Sequence, residues 1–238
     1  EGIEDTASVA QAIQGVRGLT FTGTNAGDHY RLVDGSHDIL EAEGGGWDKV
    51  DAWISHTLDA NVEQLQIHGS AETANGNGLR NVLIGNDADN VLRGEDGNDS
   101  LYGRDADDRL YGGAGDDEMD GGGGDDILMG GGGHDTMYGG SGADEFEFTQ
   151  WDLGETDTIA EFLPHEGDLI DLARIDADAS KDGNQVFSFV GSDAFSHTAG
   201  ELRFADGELH GDVDGDGQAE LLVGIPNTTT LSGEDFLL

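Results

Sequence analysis

The chain has 238 residues, of which 51 are acidic and 10 basic, for a formal net charge of −41, and it has no cysteine. That balance excludes ordinary nucleic-acid binding, which needs a basic footprint, and disfavours anionic membrane surfaces; no stretch approaches the roughly 18 apolar residues of a spanning helix. Self-repulsion of this size opposes compaction unless cations neutralise it, so a cation-dependent fold that needs no disulfides is expected.

Residues 1–22 carry little pattern. The segment 6–14 is expected either to form a short helix or to link to an upstream domain. The chain starts at Glu1 without the apolar run of a signal peptide, so it reads as the C-terminal part of a longer polypeptide. Residues 23–31, GTNAGDHYR, form a lone nine-residue unit with Gly23 first, Asp28 sixth and Tyr30 eighth. Short alternating runs follow: YRLVD, DILEA, DKVDAWI and VEQLQIHG. Gly and Asp separate them, the mark of strands and turns. Trp47 and Trp53 here either pack or stack on a sugar ring.

Eight consecutive nine-residue repeats fill 76–147. Each begins with glycine: Gly76, Gly85, Gly94, Gly103, Gly112, Gly121, Gly130 and Gly139. The sixth position is Asn81, Asn90, Asp99, Asp108, Asp117, Asp126, Asp135 and Asp144. The eighth is large and apolar: Leu83, Leu92, Leu101, Leu110, Met119, Leu128, Met137 and Phe146. The first six positions favour tight turns, and the last three form a strand with one inward side chain. Each repeat is therefore half a coil, and residues eighteen apart stack. Asn81, Asp99, Asp117 and Asp135 should form one row, and Asn90, Asp108, Asp126 and Asp144 the other.

Stacked strands lie roughly 4.8 Å apart, and carboxylates at that spacing repel unless a cation lies between them. Calcium suits the site, since it takes hard oxygens, including the carbonyls that glycine turns expose. The carbonyls of Gly113, Gly115, Gly122, Gly124, Gly131 and Gly133 are the candidates. No nitrogen or sulfur ligand recurs in phase, which disfavours a transition metal. One inward apolar residue per repeat cannot offset the ordering of nine backbone units, so folding and calcium binding are expected to be one event. Repeats with Asn at the sixth position, or with Leu79, Ala88 or Ala106 at the fourth, should hold calcium weakly or not at all. The alternative is an acidic, glycine-rich disordered linker, and the phased eighth position argues against it.

The pattern G-G-x-G-x-D-x-U-x, strongest from Gly112 onward, resembles the calcium-binding β-helix repeat of RTX proteins. Upstream, the stretch DHYRLVDGSHDILEAEGGGWDKVDAWISHTLDANVEQLQIHGSAETANGNGLRNVLIGN resembles a segment found directly before such repeats in large secreted bacterial proteins. It covers about residues 23–90 and implies irregular coils that cap and extend the solenoid.

Residues 146–238 resemble the C-terminal secretion domain of serralysin-type metalloproteases and other type I secreted proteins. The resemblance rests on GADEFEF, DTIAEFLPHEGDLIDL, the FSFVG run, AFSHTAGELRF, DVDGDGQAELLVGI and the end EDFLL. Such tails accompany proteases, lipases, epimerases, lyases and adhesins, so they do not specify an activity. Apolar alternation in VFSFV, ELRF, ELHG and ELLVGI reads as antiparallel strands. Asp212, Asp214, Asp216 and Glu220 have the acid spacing of a calcium loop, with Gln218 offering a carbonyl; a polar hairpin turn without metal is the alternative. Asp168 and Asp171 either ligate or cap the roll. Asp235, Phe236, Leu237 and Leu238 make an acid followed by three apolar residues, which the resemblance implies is an uncleaved export signal and which also suits a final strand.

No catalytic constellation stands out. H-E-x-x-H and G-x-S-x-G are absent, and the eight histidines are scattered. His134, at a variable repeat position, should face water. The expected architecture is all-β: N-terminal coils over 1–75, a right-handed parallel β-roll over 76–147 and a β-sandwich-like C-terminal domain over 148–238. The expected role is non-enzymatic. It is a secreted, extracellular calcium-binding module that binds several calcium ions, meets the type I secretion machinery and supports an upstream domain, such as a hydrolase, epimerase or lyase. The competing role is binding of a polysaccharide or surface ligand. Tyr102 and Tyr138 should share an outer face with Asp120 between them, Tyr111 should lie on the other sheet, and Arg80, Arg93, Arg104 and Arg109 are the only basic residues in the roll.

Overall fold

The computed structural model describes residues 9–11, 19–35 and 37–238. A strand three residues long buries one side chain, so the repeats gain a core only by stacking coil on coil. From Gln64 onward the chain does so by alternating between two parallel sheets. One carries Gln64–Ile67, Val82–Ile84, Ser100–Asp105, Glu118–Gly123, Thr136–Ser141 and Thr156–Glu161. The other carries Thr73–Asn75, Val91–Asp96, Arg109–Ala114, Ile127–Gly132, Glu145–Glu147 and Leu169–Asp171. No α-helix occurs among the described residues. The result is a parallel β-solenoid.

The eighth-position residues form two single-file stacks. Leu83, Leu101, Met119 and Met137 are register partners in succession, as are Leu92, Leu110, Leu128 and Phe146. All eight are fully buried. Both stacks outrun the repeats. Tyr30, Val50 and Leu65 lie below Leu83, and Ile159 lies above Met137. Ala74 lies below Leu92, and Ile170 and Phe236 continue above Phe146. Coil length changes outside the repeats, because His29 pairs with Lys49, Lys49 with Gln64 and Phe146 with Ile170. Inward side chains hold the register where regular spacing is lost. The upstream segment therefore extends the solenoid, with a small parallel sheet of Thr20–Thr22 and Asp38–Leu40 beside it.

The segment 6–14 is not helical where it is described: Val9–Gln11 is a strand paired with His29, Tyr30 and Arg31. The exposed sheet edge offers backbone partners that an isolated short helix lacks. The rest of 6–14 lies outside the described residues.

The C-terminal β structure is continuous with the roll. Glu201–Ala205 and Glu208–Asp212 form a hairpin. Asp206 and Gly207 turn it with φ of 57° and 82°, the left-handed pair that suits strand twist. Leu221–Gly224 pairs antiparallel with that hairpin and parallel with Thr156–Glu161, so it extends the first sheet. Phe236–Leu237 closes the second sheet against Leu169–Asp171. Ser188–Phe189 pairs parallel with Glu201–Leu202, not antiparallel as its alternation suggested. The connection to Glu201 is a long crossover rather than a tight turn, and that brings the chain back in the same direction.

Truncating one stack member removes contacts above and below it. Leu110→Ala should cost the calcium-loaded protein about 2–5 kcal/mol, while Tyr111→Ala, one position outward, should cost less than about 1 kcal/mol. Urea denaturation at fixed calcium measures both.

Candidate metal sites

Each sixth-position residue sits immediately before its strand, so the register that aligns the apolar stacks also aligns the acids. Asn81 N–H donates to Asp99 Oδ1 at 2.7 Å, Asp99 N–H to Asp117 at 2.7 Å and Asp117 N–H to Asp135 at 2.9 Å. Opposite, Asn90 N–H donates to Asp108 at 2.6 Å, Asp108 N–H to Asp126 at 2.7 Å and Asp126 N–H to Asp144 at 3.0 Å. The two expected rows are present, and all eight side chains are buried. Each row gains a member the nine-residue period did not reveal. Asp135 N–H donates to Asp157 Oδ1 at 3.0 Å, and Asp144 N–H to Asp168 Oδ1 at 3.1 Å. Their spacings of 22 and 24 residues break the period; the sequence offers Asp168 as a ligand or cap without its row, and Asp157 emerges only from the pairing of strands.

One oxygen of each aspartate is thus used. The other Oδ2 of Asp99, Asp108, Asp117, Asp126, Asp135, Asp144 and Asp157 is buried without a hydrogen-bond partner. Burying such an oxygen without a donor or cation is costly. The first glycine of each repeat makes room for it. A methyl group on Gly121 would lie 2.4 Å from Asp126 Oδ2 and 2.7 Å from the Gly139 carbonyl oxygen.

The candidate glycines at the second and fourth positions, Gly113, Gly115, Gly122, Gly124, Gly131 and Gly133, all have φ between 103° and 136°. A methyl on Gly131 would meet the Gly113 carbonyl oxygen at 2.2 Å, and one on Gly133 the Gly115 carbonyl oxygen at 2.3 Å. These carbonyls face the next coil. Glu95, Arg104 and Ala106 adopt the same left-handed conformation without being glycine, so the turn geometry begins at the third repeat. Buried carboxylate oxygens lacking donors, beside oriented carbonyls, form a hard-oxygen donor set that fits calcium.

The first two repeats differ. Asn81 Oδ1 accepts from Asn77 N–H at 2.7 Å, and its Nδ2 donates to the Val62 carbonyl at 3.2 Å. Asn90 Oδ1 accepts from Asn86 N–H at 2.7 Å, and its Nδ2 donates to the Ala71 carbonyl at 3.2 Å. Here an amide donor takes the place a cation would fill, so both asparagines are satisfied within the protein. Asp168 is likewise satisfied, since its Oδ2 accepts from Leu163 N–H at 2.7 Å. It ends its row, while Asp171 accepts from Ala173 N–H at 2.8 Å.

The C-terminal loop brings together Asp212, Asp214 and Glu220, whose carboxylate oxygens lie within 4.8 Å of one another. Asp212 accepts from Gly215 and Gly217 N–H at 2.6 and 2.9 Å, and Glu220 from Val213 N–H at 2.8 Å. Asp216 and Gln218 are engaged with each other, through Gln218 Nε2 to Asp216 Oδ2 at 3.0 Å, and are not part of the cluster.

The surface aromatics divide. Tyr102, Asp120 and Tyr138 are in register on one face. Arg93 covers Tyr111 with its guanidinium 5.2 Å from the ring centre. Trp53 stacks on His68 at 4.5 Å under Arg31, and Trp47 donates to Gln64 at 3.3 Å. His134 is exposed and bonds the Thr156 backbone.

In the metal-free chain, burial first and neighbouring carboxylates second raise the row aspartates. Asp117 and Asp157 are pushed up to about 8, Asp108 and Asp144 to about 7, and Asp126 and Asp135 to about 6. Burial also raises Asp99 to about 6. The folded chain then holds more protons than the unfolded one between about pH 4 and 8, so metal-free stability falls as pH rises through that window. Protons and a cation stabilise the same fold. Lowering pH from about 8 to about 5 in EDTA should therefore raise the β content of the metal-free chain. Far-UV circular dichroism measures this, and a metal-free β signal that rises with pH would contradict the buried-carboxylate assignment.

The family described as RTX calcium-binding nonapeptide repeat matches in four copies, over residues 75–110, 84–119 and 111–146. The chain is also similar to Endo-1,3-1,4-beta-glycanase ExsH of Rhizobium meliloti (strain 1021), with 37% identity over 65 residues. That likeness covers 27% of this chain and 14% of the glycanase, so the chain spans a small part of that relative. Aligned aspartates, glycine turns and matched repeats agree: residues 75–146 carry RTX calcium-binding nonapeptide repeats, and the parallel β-roll they form binds calcium ions.

Proposed function

We propose that this chain is a calcium-triggered folding module of a secreted protein. It crosses the envelope unfolded through type I secretion machinery, folds in extracellular calcium and supports an upstream domain. The observation that carries this reading is the column of buried aspartate oxygens without donors. An apo chain must leave those charges buried or protonate them, and either opposes the fold at neutral pH. The ligands in this reading are Asp99, Asp108, Asp117, Asp126, Asp135 and Asp144, with carbonyls of Gly113, Gly115, Gly122, Gly124, Gly131 and Gly133. Asp212, Asp214 and Glu220 hold a further ion. Asn81 and Asn90 stay free of metal because their amides already bridge the coils. Each site contributes roughly 2.7 kcal/mol when free calcium is 100-fold above its Kd, and several sites act together on one solenoid.

Residues 1–75 act as the N-terminal cap, 76–147 as the calcium-binding core and 148–238 as the closing segment that carries the export signal. The chemistry of the whole polypeptide resides in another region. The glycanase supports this, since only 14% of its length is matched here.

Protease sensitivity before and after export tests the proposal. In bacteria expressing the chain with a type I exporter, the cytosolic pool should be degraded rapidly. Exported chain should resist protease in millimolar calcium and become sensitive when calcium is chelated. A protease-resistant cytosolic pool would refute export of an unfolded chain.

A further inference from the structure

A second kind of carboxylate cluster lies in the first described coils, upstream of the matched repeats. Asp28, Glu41 and Asp48 each offer a carboxylate oxygen, and these lie within 4.8 Å of one another. Asp28 and Asp48 precede the strands His29–Leu32 and Lys49–Ala52, in which His29 pairs with Lys49. Register carries that column onward through Glu63 and Asn81 to Asp99. Asp28 and Asp48 therefore occupy the structural position of the roll aspartates, although residues 49–75 contain no nine-residue repeat.

The hydrogen bonding also repeats that of the roll. Asp28 N–H donates to Asp48 Oδ1 at 2.6 Å. Asp48 is fully buried, and its Oδ2 has no partner. Glu41 reaches the same point from the end of the strand Asp38–Leu40. The Tyr30 hydroxyl donates to Glu41 Oε1, and the buried Oε2 has no partner. Thr24 fixes Asp28 Oδ2 through its N–H at 2.6 Å and its hydroxyl at 3.1 Å. Two glycines keep the cradle open: a methyl on Gly23 would lie 1.8 Å from Glu41 Oε1, and one on Gly27 would lie 2.5 Å from the Trp47 carbonyl oxygen.

We propose that Asp28, Glu41 and Asp48 bind a calcium ion that clamps the first coil of the solenoid, outside the repeats. Three carboxylates with two unpartnered buried oxygens demand a cation, and their all-oxygen, irregular arrangement suits calcium better than the octahedral, water-retaining magnesium ion.

The ion count of the full chain tests this. Glu41→Gln and Asp48→Asn should each bind one calcium ion fewer than the unaltered chain, by equilibrium dialysis with elemental analysis. Both should keep the calcium-loaded far-UV spectrum of the roll. Glu41→Gln preserves side-chain volume and the acceptor for Tyr30, so it serves if Asp48→Asn does not fold. Independently, crystals of the unaltered chain grown with calcium should show an anomalous peak among the three carboxylates. Unchanged ion counts, or no such peak, would overturn this site and leave the folding proposal intact. A chain that binds no calcium anywhere would sink both.

Discussion

A buried carboxylate stacked on another buried carboxylate is the constraint on which this molecule depends. The aspartate rows do not sit at the surface, where water would screen them. Each is drawn inside by the short strand that follows it, and each spends one oxygen on the backbone N–H of the coil before. The remaining oxygens face glycine turns and oriented carbonyls, an arrangement stable only with protons or a hard cation between the coils. The apolar stacks are too thin to impose that burial alone. Metal, core and register are therefore linked, because the pairing that aligns Leu101 with Met119 also sets Asp99 against Asp117.

The central solenoid was legible in the sequence because its period fixes three positions at once. Position eight announced the stacks and position six the rows, whereas position one announced a turn, and the space it leaves beside each carboxylate emerges in the folded chain. Legibility ended where coil length changed. Asp157 and Asp168 extend the rows at irregular spacing, and Asp48 extends one of them at the opposite end. Asp168 stands out beside Asp171 as a ligand or cap, but nothing local distinguishes Asp157 or Asp48 from the many other acids; pairing of distant strands does. The reading of Asn81 and Asn90 turned on side-chain amide geometry, which composition does not encode. Likewise, Gln218 matches a loop spacing, yet its amide donates to Asp216.

The flanking regions show how a repeat solenoid ends. At one end Tyr30, Val50 and Leu65 carry the apolar stack beyond the repeats. At the other, the Leu221–Gly224 strand and the terminal Phe236–Leu237 strand occupy sheet edges that would otherwise invite intermolecular pairing. Both flanks cover stack members that the outermost repeats would leave open, which is why we propose them as caps. The C-terminal residues complete the second sheet by pairing with Leu169–Asp171.

The most direct measurement is far-UV circular dichroism of an EDTA-treated sample titrated with calcium, with magnesium as the control. The account predicts a cooperative gain of β signal with calcium and none with magnesium over the same range at neutral pH. A full β spectrum in EDTA, unchanged by calcium, would show that the apolar stacks suffice and would contradict the coupling of metal binding to folding.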